Sequence, residues 1–182
     1  MREQKIANAR RQEFMKSDNA AQIFITGGTF DKDYNFITGE LYFKDTHLQD
    51  MLDRGRCTMP VDIKTLMMID SLAMGDAERK IIEYNCRQTL YENIVVTHGT
   101  DTMTETAQHL KRAEMKNKTI VLTGAMIPYA FGSSSDGFFN LGSALAFAQV
   151  LDPGVYVCMN GQYWDADLAF KNRSTGYFQI KG

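Results

Sequence analysis

Hydroxyl side chains recur in this sequence at the points where apolar runs break off. Thr29 follows Gly27 and Gly28 directly after AQIFIT, Ser71 follows the run over residues 62–69, and Thr100 and Asp101 follow NIVVT, His98 and Gly99. Glycine lets the backbone approach a bound group and aim its amides at an anion, and a threonine placed there can meet a substrate carbonyl. A hydroxyl that acts as a nucleophile on a carbonyl needs a route for its proton and donors for the developing oxyanion. Each fragment also has a plainer reading. Gly27-Gly28 is then a tight turn with Thr29 as a cap, Asp101 or Thr102 a second cap, and His98 a buried, hydrogen-bonded histidine. The crowding of His, Thr, Asp and Thr over residues 98–102 exceeds what one cap requires.

Other chemistries fit less well. TGGT is followed by no Gly-Lys-Ser/Thr and contains no GxGxxG, so it is neither a phosphate loop nor a dinucleotide fingerprint. His47, His98 and His109 are scattered, with no HExxH and no paired His or Cys at ligand spacing. That argues against a metal hydrolase, and the expectation is a site without metal or cofactor. The 20 Lys and Arg against 22 Asp and Glu leave a formal net charge of -2, so neither nucleic acid nor a membrane is an expected partner.

The elements that must position these residues follow from the apolar pattern. The 182 residues, 44% hydrophobic and 23% charged, fit one folded domain preceded by a short arm. Residues 1–20 are polar with Ile6, Ala9 and Phe14 at helical spacing, an expected N-terminal helical arm, and the domain proper takes residues 21–182. Residues 21–26, 62–69, 93–97, 119–123 and 155–159 read as strands. Residues 31–40, polar and glycine-containing, read as a mobile loop.

Between the strands, Ile81, Ile82, Tyr84 and Cys86 suggest a helical stripe over residues 76–90. Thr102 and Glu105 have capping-box spacing for a helix running to about Met115, and Asp136 can cap a helix through Phe138, Leu141, Leu145 and Val150. The alternation predicts an α/β domain, Rossmann-like, its mainly parallel sheet flanked by helices on both faces, with ligands beyond the carboxyl ends of the strands. No apolar run is long enough to span a bilayer, and the charged opening does not read as a signal peptide. Cys57, Cys86 and Cys158, odd in number and far apart, fit reduced thiols, so a cytoplasmic protein is expected.

TGGT at residues 26–29, HGTDT at 98–102, GAM at 124–126 and the SxDGxxN pattern at 134–140, taken together and in this order, resemble the bacterial, threonine-nucleophile L-asparaginase family. The resemblance covers residues 22–171, approximately, and matches the family's N-terminal domain; the family's second, C-terminal domain has no expected counterpart here. It implies that Thr29 is the nucleophile and that Thr100 is the second threonine. It further implies that Asp101 binds the substrate α-amino group, that Ser71 holds the α-carboxylate, and that the main-chain N–H of Ala125 is an oxyanion donor. Lys171, in FKNRS, falls where the family has the lysine of its Thr-Lys-Asp triad.

The family's activating tyrosine is matched by Tyr42 in spacing and by Tyr34 in nearness to Thr29. Leu72 stands where the family has a glutamine, and the catalytic-site glutamate from a neighbouring subunit's second domain has no counterpart. The implied activity is hydrolysis of L-asparagine to L-aspartate and ammonia through an acyl-enzyme on Thr29, in a homo-oligomer, dimer or tetramer. The alternatives are a catalytically weak amino-acid-binding module and an amidohydrolase for a different small amide.

Overall fold

Alternate residues of the central strands feed different hydrophobic layers, and this divides the molecule. A computed structural model describes residues 19–181. In chain order its elements are β1 (Ala21–Gly27), a hairpin of β2 (Lys32–Asn35) and β3 (Glu40–Phe43), α1 (Leu48–Arg54), β4 (Val61–Ile69), α2 (Asp76–Gln88) and β5 (Asn93–Thr97). There follow α3 (Met103–Arg112), β6 (Thr119–Thr123), α4 (Gly137–Val150), β7 (Gly154–Met159), β8 (Gln162–Asp165) and a second hairpin of β9 (Ala169–Lys171) and β10 (Phe178–Ile180). The main sheet has the order β4-β1-β5-β6-β7-β8, parallel except where β8 returns antiparallel beside β7.

Ile23 and Ile25 of β1, Val95 of β5, Val121 of β6 and Cys158 of β7 pack on one side with Met51 of α1 and Leu141, Ala144, Leu145 and Ala148 of α4. Phe24, Ile94, Val96, Ile120, Leu122 and Val157 point to the other side, toward Ile82 and Cys86 of α2 and Met103, Ala107 and Leu110 of α3. Both faces are thus covered, which is why the strands read as unbroken apolar runs. Each fully buried aliphatic or aromatic side chain contributes on the order of 1.5–3 kcal/mol. The chain leaves β1 toward β4 on one side, whereas β5 lies on its other side. The strand order therefore reverses at β1, leaving a crevice between the ends of β1 and β5 where such sheets bind ligands.

Several local expectations are corrected. Residues 31–40 belong largely to a hairpin, with Lys32 opposite Phe43 and Tyr34 opposite Leu41. In α2 the buried face is Arg79, Ile82 and Cys86, while Ile81 and Tyr84 are exposed, because only residues three or four apart share a helix face. The α3 helix ends at Arg112, short of Met115. Neither Thr102 nor Asp136 caps through its side chain: the Thr102 hydroxyl donates to the Ser71 carbonyl, and Asp136 receives amides of the 126–127 turn. Phe138 and Val150 of α4 are exposed although Leu141 and Leu145 are buried. Strands β8 to β10 had no counterpart in the pattern reading. The helical arm expected over residues 1–20 falls outside the described residues except for its last two positions, of which Ala20 is buried.

Candidate active site

Close backbone approach brings the hydroxyl-bearing loops together. Gly28 has φ 84, and a Cβ there would come within 2.5 Å of Gly99 Cα, so this turn requires glycine. Gly99 in turn lies on Ser71: a Cβ at Gly99 would stand 2.5 Å from Ser71 Oγ. The residues following the two touching glycines, Thr29 and Thr100, and the residue beneath them, Ser71, therefore share one end of the sheet. Two hydrogen bonds fasten the arrangement, Gly28 N to Ile69 O at 3.0 Å and Thr102 Oγ1 to Ser71 O at 2.8 Å.

Lys171 reaches this place from the far end of the sequence. Its Nζ donates to Thr100 Oγ1 at 2.8 Å and to Asp101 Oδ1 at 2.8 Å, with the lysine side chain only 11% exposed. The position comes from β9, held by β10 through pairing of Lys171 with Phe178. Arg173, in the turn after Lys171, approaches the Asp101 carbonyl at 3.5 Å.

Ala125, two residues beyond β6, is fully buried. The next turn is pinned: Met126 N donates to Asp136 Oδ1 at 2.9 Å and Ile127 N to the same oxygen at 3.0 Å. A carboxylate collecting successive amides holds that backbone in one orientation.

The two tyrosines project from opposite faces of the β2–β3 hairpin, since Tyr34 pairs with Leu41 and Tyr42 with Asp33. Lys32, on the Tyr34 face, reaches Asp70 Oδ2 at 2.6 Å beside Ser71, and holds the Asp70 carboxyl below its usual range. Tyr34 itself meets Phe131 edge to face at 6.1 Å. On the other face, Asp33 approaches His47 Nε2 at 3.5 Å. The hairpin base is closed by Asp31, whose buried Oδ1 accepts from Thr46 Oγ1 at 2.9 Å and His47 N at 3.3 Å; burial raises the Asp31 pKa.

His98 is not aimed at the crevice. Its Nδ1 lies 2.8 Å from the Gly99 carbonyl, which can only accept, so Nδ1 carries the proton and Nε2 accepts from Thr106 Oγ1 at 2.9 Å. Arg79 Nε donates to the same hydroxyl at 3.2 Å and its guanidinium pairs with Glu105. Burial pushes the His98 pKa down to about 4. The plainer reading of His98 as a buried structural histidine is therefore the observed one. Leu72, the middle residue of the Ser71–Ala73 turn, is 67% exposed.

Sequence reasoning missed Asp31, Lys32, Asp70, Arg79 and Thr106. Asp136 and Asn140 carry a signal, as parts of SxDGxxN, although Asp136 holds the 126–127 amides and does not cap its helix. A groove of about 440 Å³ between α1 and α4, lined by Met51, Leu52, Leu141 and Leu145 among others, contains none of the residues gathered at the sheet end.

The chain is similar to known proteins in sequence and in fold. The family described as Asparaginase, N-terminal, matches residues 21–180. A glutaminase-asparaginase of Pseudomonas fluorescens is 43% identical over 112 residues, covering 60% of this chain and 30% of its own. A probable periplasmic L-asparaginase of Haemophilus influenzae is 39% identical over 99 residues, covering 53% of this chain and 28% of its own. The solved structure of a probable cytoplasmic L-asparaginase from Campylobacter jejuni superposes with a TM-score of 0.75 at 25% identity, covering 89% of this chain and 51% of that one. The chain thus spans about half the length of that solved relative.

Proposed function

Because the chain belongs to the asparaginase family through that family's N-terminal domain, we propose that it is an amidohydrolase releasing ammonia from L-asparagine. The observation that carries this reading is Lys171 Nζ at 2.8 Å from both Thr100 Oγ1 and Asp101 Oδ1, across 71 and 70 residues of sequence. An amine held by both a hydroxyl and a carboxylate at the end of a parallel sheet forms a proton-handling unit, and a solvated lysine would make no such contacts.

In this reading the Thr29 hydroxyl adds to the side-chain amide carbon, and the oxyanion is met by the Ala125 N–H. The Thr29 proton passes to the departing amine, the C–N bond breaks, and ammonia leaves an ester on Thr29. A water that gives a proton to the Thr100–Lys171 pair then attacks the ester; the bond to Thr29 breaks, the proton returns to the Thr29 oxygen, and L-aspartate leaves. Asp101 takes the substrate α-ammonium and Ser71 the α-carboxylate. Of the two tyrosines, Tyr34 is assigned to Thr29, because its face of the hairpin is the one tied to Asp70 and Phe131 at the strand ends.

Leu72 gives a second reading a specific footing: an exposed apolar side chain beside Ser71 favours a different small amide. A panel assay for ammonia release decides. The proposal expects L-asparagine to turn over fastest and an amide lacking the α-amino group to fail, since a site built for charges rejects what leaves its own groups unpaired. Equal turnover of the two, or none of any amide, contradicts it.

We further infer a homo-oligomer. The hairpin tip presents Phe36 and Ile37, 83% and 82% exposed, and a symmetric partner is the commonest cover for such residues. Light scattering under assay conditions tests this, and a fully active species with the mass of one chain ends the inference. A cytoplasmic location is proposed from the unpaired Cys57, Cys86 and Cys158. No helix among the described residues is long and apolar enough to cross a membrane.

A further inference from the structure

The SxDGxxN pattern ends in Asn140, a fully buried side chain on α4 that has no part in the chemistry just described. Its amide is saturated across three segments. Nδ2 donates to the Gly124 carbonyl at 2.9 Å and to Asp136 Oδ2 at 2.9 Å, and Oδ1 accepts from Asn160 N at 3.0 Å. Asp136 holds Met126 N, so the peptides on both sides of Ala125 are fixed, the preceding one at its carbonyl by Asn140 and the following one at its amide by Asp136.

Asn160 continues the connection. With Gly161 it forms the two-residue turn between β7 and β8, at φ 57 and φ 75, where an Asn-Gly pair is favoured. Its side-chain Oδ1 receives Phe178 N at 3.4 Å, and Phe178 is the residue opposite Lys171 in the β9–β10 pair. One chain of hydrogen bonds thus runs from the Ala125 peptide through Asn140 and Asn160 to β10, the strand paired with the one that carries Lys171.

We propose that Asn140 is a positioning residue that sets the Ala125 amide and the Lys171 strand in register with each other, so that oxyanion donor and lysine act on one bound carbonyl. The proposal rests on the amidohydrolase reading. A side chain buried with every polar atom paired has few ways to shift, which suits it to this task. Misplacement of catalytic groups by about 1 Å costs on the order of 10²-fold in rate, and donors aimed at a developing charge act in the transition state rather than on the bound substrate.

Two variants of the full chain test it, Asn140→Ser, too short to reach Gly124 O and Asn160 N together, and Asn160→Gly. The second removes only the acceptor for Phe178 N, keeps the backbone bond to Asn140, and suits the positive φ, so it disturbs no buried side chain and keeps the test independent of how well Asn140→Ser folds. Ammonia release is measured alongside amide hydrogen exchange at Met126, Ile127 and Lys171. The expected result is a kcat lower by about 10²-fold in Asn140→Ser and about tenfold in Asn160→Gly, with KM changed by less than about threefold. Exchange should quicken on both the Met126 and the Lys171 side in Asn140→Ser. Unchanged kcat in Asn160→Gly, a rise in KM alone, or quickened exchange confined to one side overturns the proposal. Absence of ammonia release in the unmodified protein defeats the amidohydrolase reading instead, and the exchange pattern still decides whether Asn140 links the two segments.

Discussion

Lys171 Nζ lies 2.8 Å from Thr100 Oγ1 and 2.8 Å from Asp101 Oδ1, bringing the penultimate hairpin strand onto the end of β5. Residues that share one proton-transfer task lose most of their effect when either is removed. Lys171→Met and Thr100→Val are each expected to lower kcat by about 10²–10⁴-fold, and the double variant to be within about tenfold of the worse single one. Losses that multiply in a double-mutant cycle would show that the two residues work independently.

Tyr34 and Tyr42 occupy opposite faces of the β2–β3 hairpin, and among the described residues the Tyr34 face is the one that reaches Asp70, beside Ser71. Tyr34→Phe is therefore expected to lower kcat by at least about tenfold, while Tyr42→Phe leaves it within about twofold. Steady-state kinetics of the two folded variants checks this, and the reverse ranking would move the assignment to Tyr42.

His98 is buried neutral, its pKa pushed from the ordinary 6.5 to about 4 chiefly by desolvation. Between these values the unfolded chain binds a proton that the folded one does not, so stability rises with pH across the window and is lost as pH falls from 6.5 toward 4. This one group contributes on the order of 3 kcal/mol to that dependence. Urea unfolding at several pH values should show a shallower dependence for His98→Gln than for the unmodified protein. Parallel curves would mean that His98 titrates alike in both states.

The parallel core was legible in the sequence because strands buried on both faces leave continuous apolar runs, as in NIVVT and TIVLT. The peripheral hairpins were not: ELYF is exposed or half-buried along its length, and AFK is too short to show a period. At the site, the glycines and hydroxyls of TGGT and HGTDT announced themselves by crowding. Lys171 had no local signal and was reached only through family resemblance. Asp136 and Asn140 were visible as a pattern, but their partners are backbone atoms of the 124–127 turn and Asn160, contacts that helix periodicity does not encode. Asp31 was one acid among many until the hairpin closed around it.

The central claim is that Thr29 carries the acyl group. Turnover of L-asparagine by the Thr29→Ala variant, with its fold verified by circular dichroism and thermal unfolding, tests it most directly. The account predicts an intact fold and a kcat lowered by at least about 10³-fold, with no acyl adduct by mass spectrometry where the unmodified protein shows one. A folded Thr29→Ala variant that retains most of its turnover would contradict it.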